Sequence, residues 1–285
     1  MRYESPVTLD AAVALMAEAG DGGRVLAGGT DLLVQLRAGM VEPDVIIDIK
    51  KIAEMREITE EDGGFRVGAA VTGAELGEHA AFSAAWPGVV EGTELIGSSQ
   101  IQSRATMGGN LCNASPAADS VPAQIAADAV LRIAGPDGVR ELPVEEFCTG
   151  VGQNSLAKGE ILVSFKFPAR GAKASDAYLR LTPRTEMDIA VVGVGVNLTM
   201  DDSGTCTDAR VGLGAVAVTA LLVPEAADAL IGTKVDAAAL DNMAAATSAA
   251  ARPIDDKRGT KEYRIKIAGV LARRAALSAL ERAGS

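Results

Sequence analysis

The 285-residue chain has a single histidine, His79, and three cysteines, Cys112, Cys148 and Cys206, far apart from one another. A zinc site or an iron–sulfur cluster calls for about four closely spaced ligands, so the chain is expected to carry no metal of its own. No apolar leader follows Met1-Arg2-Tyr3-Glu4-Ser5-Pro6, which predicts a cytoplasmic protein whose thiols stay free and buried. His79 stands with Glu75 and Glu78 in a short helical stretch and reads as surface packing; neither a Ser/His/Asp triad nor a pair of catalytic carboxylates stands out. Basic residues are outnumbered, 27 against 38, for a net charge of -11. That balance opposes a nucleic-acid partner, because phosphates are bound through clustered Lys and Arg. The longest weakly polar runs, 189–196 and 211–223, fall short of the roughly 20 residues that span a membrane. Aromatics make up 3% of residues, so the core must be filled by Ala, Val, Leu and Ile with close backbone packing.

What is present is 48% hydrophobic residues, 31 glycines and a length that favours two compact lobes. The spacing of Leu9, Ala12, Val13, Leu15 and Met16 after Thr8 predicts a helix over 8–19. A short buried strand over 25–27, a tight turn at Gly28-Gly29-Thr30-Asp31, a helix over 32–37 and a strand over 45–49 come next. A strand over 65–69 and a helix over 73–81 follow. Helices over 86–95 and 121–129 flank a polar segment, 97–119, expected to be a long ligand-binding loop. A hairpin of 130–133 with 139–142 and a strand over 161–167 complete the first part. The small polar tract 169–175 reads as a hinge between lobes. Beyond it come strands over 176–181, 189–199 and 209–218, then helices over 224–230, 236–251 and 260–282.

Two glycine pairs carry the chemistry: Ala27-Gly28-Gly29-Thr30-Asp31 and Thr106-Met107-Gly108-Gly109-Asn110. Consecutive glycines allow positive φ and bring main-chain N–H groups close to a bulky anion, since no Cβ intervenes. A pyrophosphate suits such a cradle, with Thr30 and Thr106 adding hydroxyls and Asn110 an amide. Either pair alone reads more readily as a plain tight turn, and it is the presence of two that shifts the balance. The strand, glycine turn and helix around Gly28 are the arrangement that offers free N–H groups to an anion. A third run, Gly212-Leu213-Gly214-Ala215-Val216-Ala217, imitates a dinucleotide fingerprint. Val216 and Val218 continue a strand alternation and Pro224 interrupts any long helix, so a tightly packed glycine-rich strand is the preferred reading.

The second pair continues as Leu111-Cys112-Asn113-Ala114-Ser115-Pro116-Ala117-Ala118-Asp119. Together with the Ala27-Gly28-Gly29 turn, this stretch resembles the signature of the FAD-binding medium subunits of the molybdenum hydroxylase family, which includes xanthine dehydrogenase and aerobic carbon monoxide dehydrogenase. The similarity extends along the whole chain, through Glu160-Ile161-Leu162-Val163-Ser164, Tyr178-Leu179-Arg180-Leu181 with Asp188-Ile189-Ala190, and Pro253-Ile254-Asp255-Asp256 with Tyr263-Arg264.

The resemblance implies an α+β fold. A vanillyl-alcohol-oxidase-like (PCMH-type) FAD-binding domain, residues 1–172, would comprise two small α/β lobes, about 1–57 and 58–172. A C-terminal lobe, 173–285, of small antiparallel sheet with helices would cover the flavin. It further implies one non-covalent FAD, held around its pyrophosphate and ribityl chain by Leu26, Ala27, Gly28, Gly29, Thr30, Asp31 and Leu32 and by Thr106, Gly108, Gly109 and Asn110. Asp119 would accept hydrogen bonds from the cofactor and Leu162 would pack close to it. Ile96 stands where some relatives place an aromatic ring beside the flavin, Tyr178 is the nearest aromatic, and Arg180 occupies the family's usual Lys position. Cys112 is the one rival point for a covalent link. The implied partners are a large subunit with the molybdenum cofactor and a small subunit with two [2Fe-2S] clusters, in a heterotrimer or its dimer. Electrons would pass from those clusters through FAD to an acceptor, so the chain would be the flavoprotein subunit of an oxidoreductase whose chemistry is the cofactor's. The alternative is a free-standing FAD-dependent oxidase or dehydrogenase of the same fold, which would need a catalytic base and a closed pocket of its own.

Overall fold

The computed structural model describes residues 1–185 and 187–284. The chain opens with β1 (Arg2–Glu4), α1 (Leu9–Ala19), β2 (Gly23–Leu26), α2 (Leu32–Arg37) and β3 (Val45–Asp48). β3 lies between β1 and β2 and runs parallel to both. Thr8 Oγ1 accepts from the Ala11 N–H at 3.3 Å and so caps α1. Val45, Ile46 and Ile47 are all buried, as the central strand of a sheet covered on both faces requires.

A second unit follows: β4 (Ile58–Glu61), β5 (Gly64–Gly68), α3 (Gly73–Glu78), α4 (Ala80–Ala85), α5 (Pro87–Glu94), α6 (Ser99–Gln102), α7 (Met107–Cys112), α8 (Ser120–Ala126), β6 (Val130–Gly135), β7 (Gly138–Pro143), β8 (Cys148–Gly150), β9 (Gln153–Asn154) and β10 (Ile161–Phe167). Five of these strands form an antiparallel sheet in the order β4-β5-β10-β6-β7. The last unit is an antiparallel sheet of β11 (Ala174–Leu181), β12 (Val192–Met200), β13 (Cys206–Gly214) and β14 (Leu221–Leu222), backed by α9 (Pro224–Asp228), α10 (Ala237–Ala250) and α11 (Lys261–Ala283). Among the described residues no helix is long and apolar enough to cross a membrane.

The few aromatics are concentrated on one side. All five phenylalanines and Trp86 belong to the core shared by the first two units, where Phe65, Phe82 and Phe167 meet edge to face at 5.4 and 5.1 Å between centroids. The core of the last unit is built of Ala, Val, Leu and Met with Cys206. There α10 and α11 approach so closely that a side chain at Gly269 would meet the Ala244 carbonyl at 2.6 Å. The two cores are joined by α8. A Cβ at Gly195, Gly212 or Gly214 would strike Pro122, at 2.5 Å from its carbonyl oxygen in the case of Gly195. The Gly-x-Gly run is therefore a furrow for Pro122 of α8.

Several expectations need correction. The polar segment 97–119 is not one loop, because Thr106 caps α7 inside it and α6 forms ahead of that. The helix over 73–81 is two helices: His79, at ψ 92, closes α3, and its Nδ1 accepts from the Phe82 N–H at 3.2 Å to open α4. The strand over 209–218 stops at Gly214, since Ala215 takes φ 65 and its N–H turns away to the Pro116 carbonyl at 2.7 Å. The tract 169–175 is anchored. Ser175 is buried in β11, and the Arg170 guanidinium lies 3.7 Å over the Trp86 ring while pairing with Asp176 at 2.8 Å.

Candidate cofactor site

A cleft of about 610 Å3 runs between the β1–β3 unit and the five-stranded sheet, within the range of small-molecule and cofactor sites. Ala27, Gly28, Gly29, Thr30, Asp31 and Leu32 line one wall, and Thr106, Gly108, Gly109 and Asn110 line the other, with Ile96 and Leu162 also facing it. Leu26, Asp119, Tyr178 and Arg180 do not line it; Leu26 lies behind the turn, its Cδ1 beneath Gly29.

The two glycine turns touch. A Cβ on Gly28 would fall inside the Arg104 carbonyl, and Arg104 Nε donates to the Gly28 carbonyl at 3.3 Å. Lys50 Nζ donates to the Ala27 carbonyl at 3.1 Å. Gly29 has φ 79, a left-handed value open to glycine, and its carbonyl accepts from the Leu33 N–H at 3.1 Å as α2 begins. On the facing wall Thr106 Oγ1 accepts from the Gly109 N–H at 2.9 Å, and a Cβ on Gly108 would strike the Ala69 carbonyl. Neither Gly108 nor Gly109 has positive φ, because both lie in the first turn of a helix. The expected reason for glycine is thus corrected: at 28 and 108 the missing Cβ makes room for another stretch of this chain. Gly109 is the least crowded of the four, with Thr106 Oγ1 alone near its Cβ position, at 3.1 Å.

Side chains that sequence reasoning passed over tie the walls together. Gln35 Nε2 donates to Asn113 Oδ1 at 3.4 Å, and Asn113 Nδ2 donates to Asp31 Oδ1 at 3.5 Å. Asn113 was visible in the motif after Asn110, whereas Arg104 and Lys50 act on main-chain carbonyls and leave no spacing signal. The Asn110 carboxamide oxygen accepts from both Ser120 Oγ, at 2.7 Å, and the Ser120 N–H, at 3.3 Å, which fixes the amide orientation. At one end of the cleft, the Arg24 guanidinium donates to the carbonyls of Asp21 and Gly23 at 2.9 and 2.7 Å and so brings positive charge to a chain that is net negative.

Asp119 sits just behind the wall, 8% exposed. Tyr178 Oη donates to its Oδ1 at 3.1 Å and Arg180 Nη1 to its Oδ2 at 2.6 Å. Burial pushes its carboxyl up to about 6, against the opposing pull of Arg180 and Tyr178. Burial also raises Tyr178 well above a free phenol, so it remains a hydrogen-bond donor. Cys112 lines the cleft, but burial pushes its thiol up to about 12, and covalent attachment needs the thiolate. A second cleft of about 420 Å3, lined by Lys50, Arg56, Arg104, Glu75 and others, lies against the opposite side of Gly28 and Thr106. The touching turns are therefore a thin partition with space on both sides.

Comparison with known proteins agrees with this architecture. Residues 1–170 match the family described as FAD binding domain in molybdopterin dehydrogenase. Residues 177–279 match the CO dehydrogenase flavoprotein C-terminal domain. The chain is 34% identical over 281 residues to the carbon monoxide dehydrogenase medium chain of Afipia carboxidovorans, covering 99% of this chain and 97% of that one. It is 32% identical over 284 residues to the xanthine dehydrogenase FAD-binding subunit of Escherichia coli, again covering 99% and 97%. Among solved structures, reconstituted CO dehydrogenase from Oligotropha carboxidovorans has a chain that superposes with a TM-score of 0.94 at 33% identity, covering 99% of this chain and 98% of that one.

Proposed function

We infer the role of this chain from the family to which it belongs, the FAD-binding subunits of the molybdenum-containing dehydrogenases. It is the flavoprotein subunit of an oxidoreductase, taking electrons from the iron–sulfur clusters of a partner and passing them through FAD to an acceptor. The observation that carries the reading is that the Gly28 turn abuts the stretch leading into the second glycine pair, with Gly28 and Arg104 76 residues apart in sequence, at one cleft of cofactor size. We take residues 1–172 as the FAD-binding domain, with sub-lobes of about 1–57 and 58–172, and 173–285 as the lobe that covers the flavin.

The residues present fit the cofactor. Thr106 Oγ1 already accepts from Gly109, so its own hydrogen is free to be donated to a diphosphate oxygen. Ser120 occupies the Asn110 carboxamide oxygen, which leaves the amide N–H groups as donors into the cleft. The backbone of Gly28, Gly29 and Thr30 forms the opposite side of the same cradle, and Arg24 supplies the positive end of the field. Ile96 and Leu162 present apolar surface that excludes water. When bound, FAD supplies the redox chemistry, and the protein supplies position and electrostatics. The raised Cys112 thiol supports a cofactor held without a covalent bond.

The complex that fits this reading is a heterotrimer, or its dimer, with a large molybdenum-cofactor subunit and a small [2Fe-2S] subunit. Among the described residues no group of His, Cys, Asp and Glu suited to a metal is found, so both metal centres are assigned to partners. Free cysteines suit the reducing cytoplasm. The test is purification from the native host. A yellow preparation is expected, with flavin absorbance that moves wholly to the supernatant on acid precipitation and with iron, sulfide and molybdenum in co-purifying chains. A colourless chain of native stability would end the reading, and a yellow chain that purifies without metal-bearing partners would favour the free-standing oxidase.

A further inference from the structure

Helix α5 is held along its length by the first strand of the C-terminal lobe. Its N-terminus has no side-chain cap from its own Ncap residue, Trp86. Instead Asp176 Oδ2 accepts from the Val89 N–H at 3.1 Å. Midway, the Tyr178 N–H donates to Glu91 Oε2 at 2.9 Å, and Arg282 from α11 also pairs with Glu91. At the C-terminal end, Arg180 Nη1 donates to the Leu95 carbonyl at 3.1 Å. Residues 176, 178 and 180 alternate along β11 and so share one face of it.

Arg180 closes this clamp at the point where it bears on the cleft. The same nitrogen that holds Leu95 donates to Asp119 Oδ2 at 2.6 Å, and the two side chains are 6% and 10% exposed. Leu95 is followed by Ile96, which lines the cleft; Asp119 is followed by Ser120, which orients Asn110, another lining residue. Arg180 itself does not line the cleft. We propose that Arg180 is a positioning residue which, through the Leu95 carbonyl and the Asp119 carboxylate, sets Ile96 and Asn110 in the cofactor wall and ties them to the C-terminal lobe without touching the cofactor.

This inference rests on the FAD reading, and its logic is charge pairing. Asp119 and Arg180 cancel in the buried pair, and removing either one strands the other in a poorly solvated place. The other charged or titratable groups facing this point are Tyr178 on β11, Glu91 on α5 and Arg282 on α11.

The experiment uses the full chain carrying FAD and measures the flavin midpoint potential and visible spectrum of Asp119→Asn, Arg180→Gln and the double variant. Asp119→Asn leaves an uncompensated cation and is expected to move the potential in the positive direction. Adding Arg180→Gln is expected to cancel most of that movement, because the site is again uncharged. Arg180→Lys, which keeps the charge, is expected to hold the potential near that of the parent, and it serves if the Gln variant does not fold. An Arg180→Gln variant that moves the potential but keeps the visible spectrum and FAD affinity of the parent would mean that Arg180 acts through its charge alone, and the positioning role would be overturned. An Arg180→Lys protein with a displaced potential would overturn it as well. A parent chain that takes up no FAD would overturn the functional reading together with this one, which distinguishes the two failures.

Discussion

The two walls of the cleft use the same dipeptide but are held very differently. Gly108-Gly109 lies in α7, where Met107, Gly108 and Leu111 are buried and Thr106 caps the first turn. Gly28-Gly29 leads into α2, none of whose residues is buried and whose Leu33 and Val34 are 51% and 62% exposed. The first wall is part of the core, whereas the second is a surface strap pinned by Arg104, Lys50 and the fit of Gly28 against a neighbouring carbonyl. The difference teaches that a glycine pair does not have one meaning. Three of the four glycines answer to this chain's own backbone, and one is left to answer to the ligand.

The largest effect should come from Gly28→Ala. Overpacking costs about 1–3 kcal/mol when side chains can yield, and a struck backbone carbonyl yields poorly, so about 3 kcal/mol or more should be lost in urea unfolding. The turns should also part, and FAD should be lost on gel filtration. Retention of both stability and flavin would break the claim that the walls abut. Thr106→Ala comes next, with about 1 kcal/mol lost from the cofactor-free chain through the missing cap. Titration with FAD should show a further loss of affinity, because the hydroxyl would also have donated to the ligand. Gly109→Ala should affect folding least, since alanine is favoured over glycine inside a helix by about 1 kcal/mol and its methyl meets only the Thr106 hydroxyl, at 3.1 Å. The melting temperature of the cofactor-free chain should stay within about 2–4 °C of the parent while FAD affinity falls. Equal losses in both would place Gly109 with the packing glycines and erase the contrast.

Much of the framework was legible in the sequence because periodicity and capping residues agree. Thr8, Asp236 and Thr260 accept from main-chain N–H groups at the starts of α1, α10 and α11, where those helices were expected. Short elements were not legible: β1 and β4 take their strand conformation from pairing with β3 and β5, a non-local cause in the case of β1. His79 hid a helix break because a side chain that caps one helix while ending another has no period. The gathering of all the phenylalanines into one core was likewise invisible to a composition figure. In the site, residue types were readable and reasons were not. The pairing of Asp119 with Tyr178 and Arg180 joins positions 59 and 61 residues apart, and the packing of β11 against the start of α8 brings them together.

The glycine furrow that receives Pro122 locks the C-terminal sheet onto α8. A ridge seated against bare main chain of both β12 and β13 behaves like a tenon in its mortise. Prising the halves apart would uncover apolar surface and leave a void that no side chain is present to fill. The joint therefore fixes β12 and β13 to α8 as one body, at a place apart from the cleft between the β1–β3 unit and the five-stranded sheet.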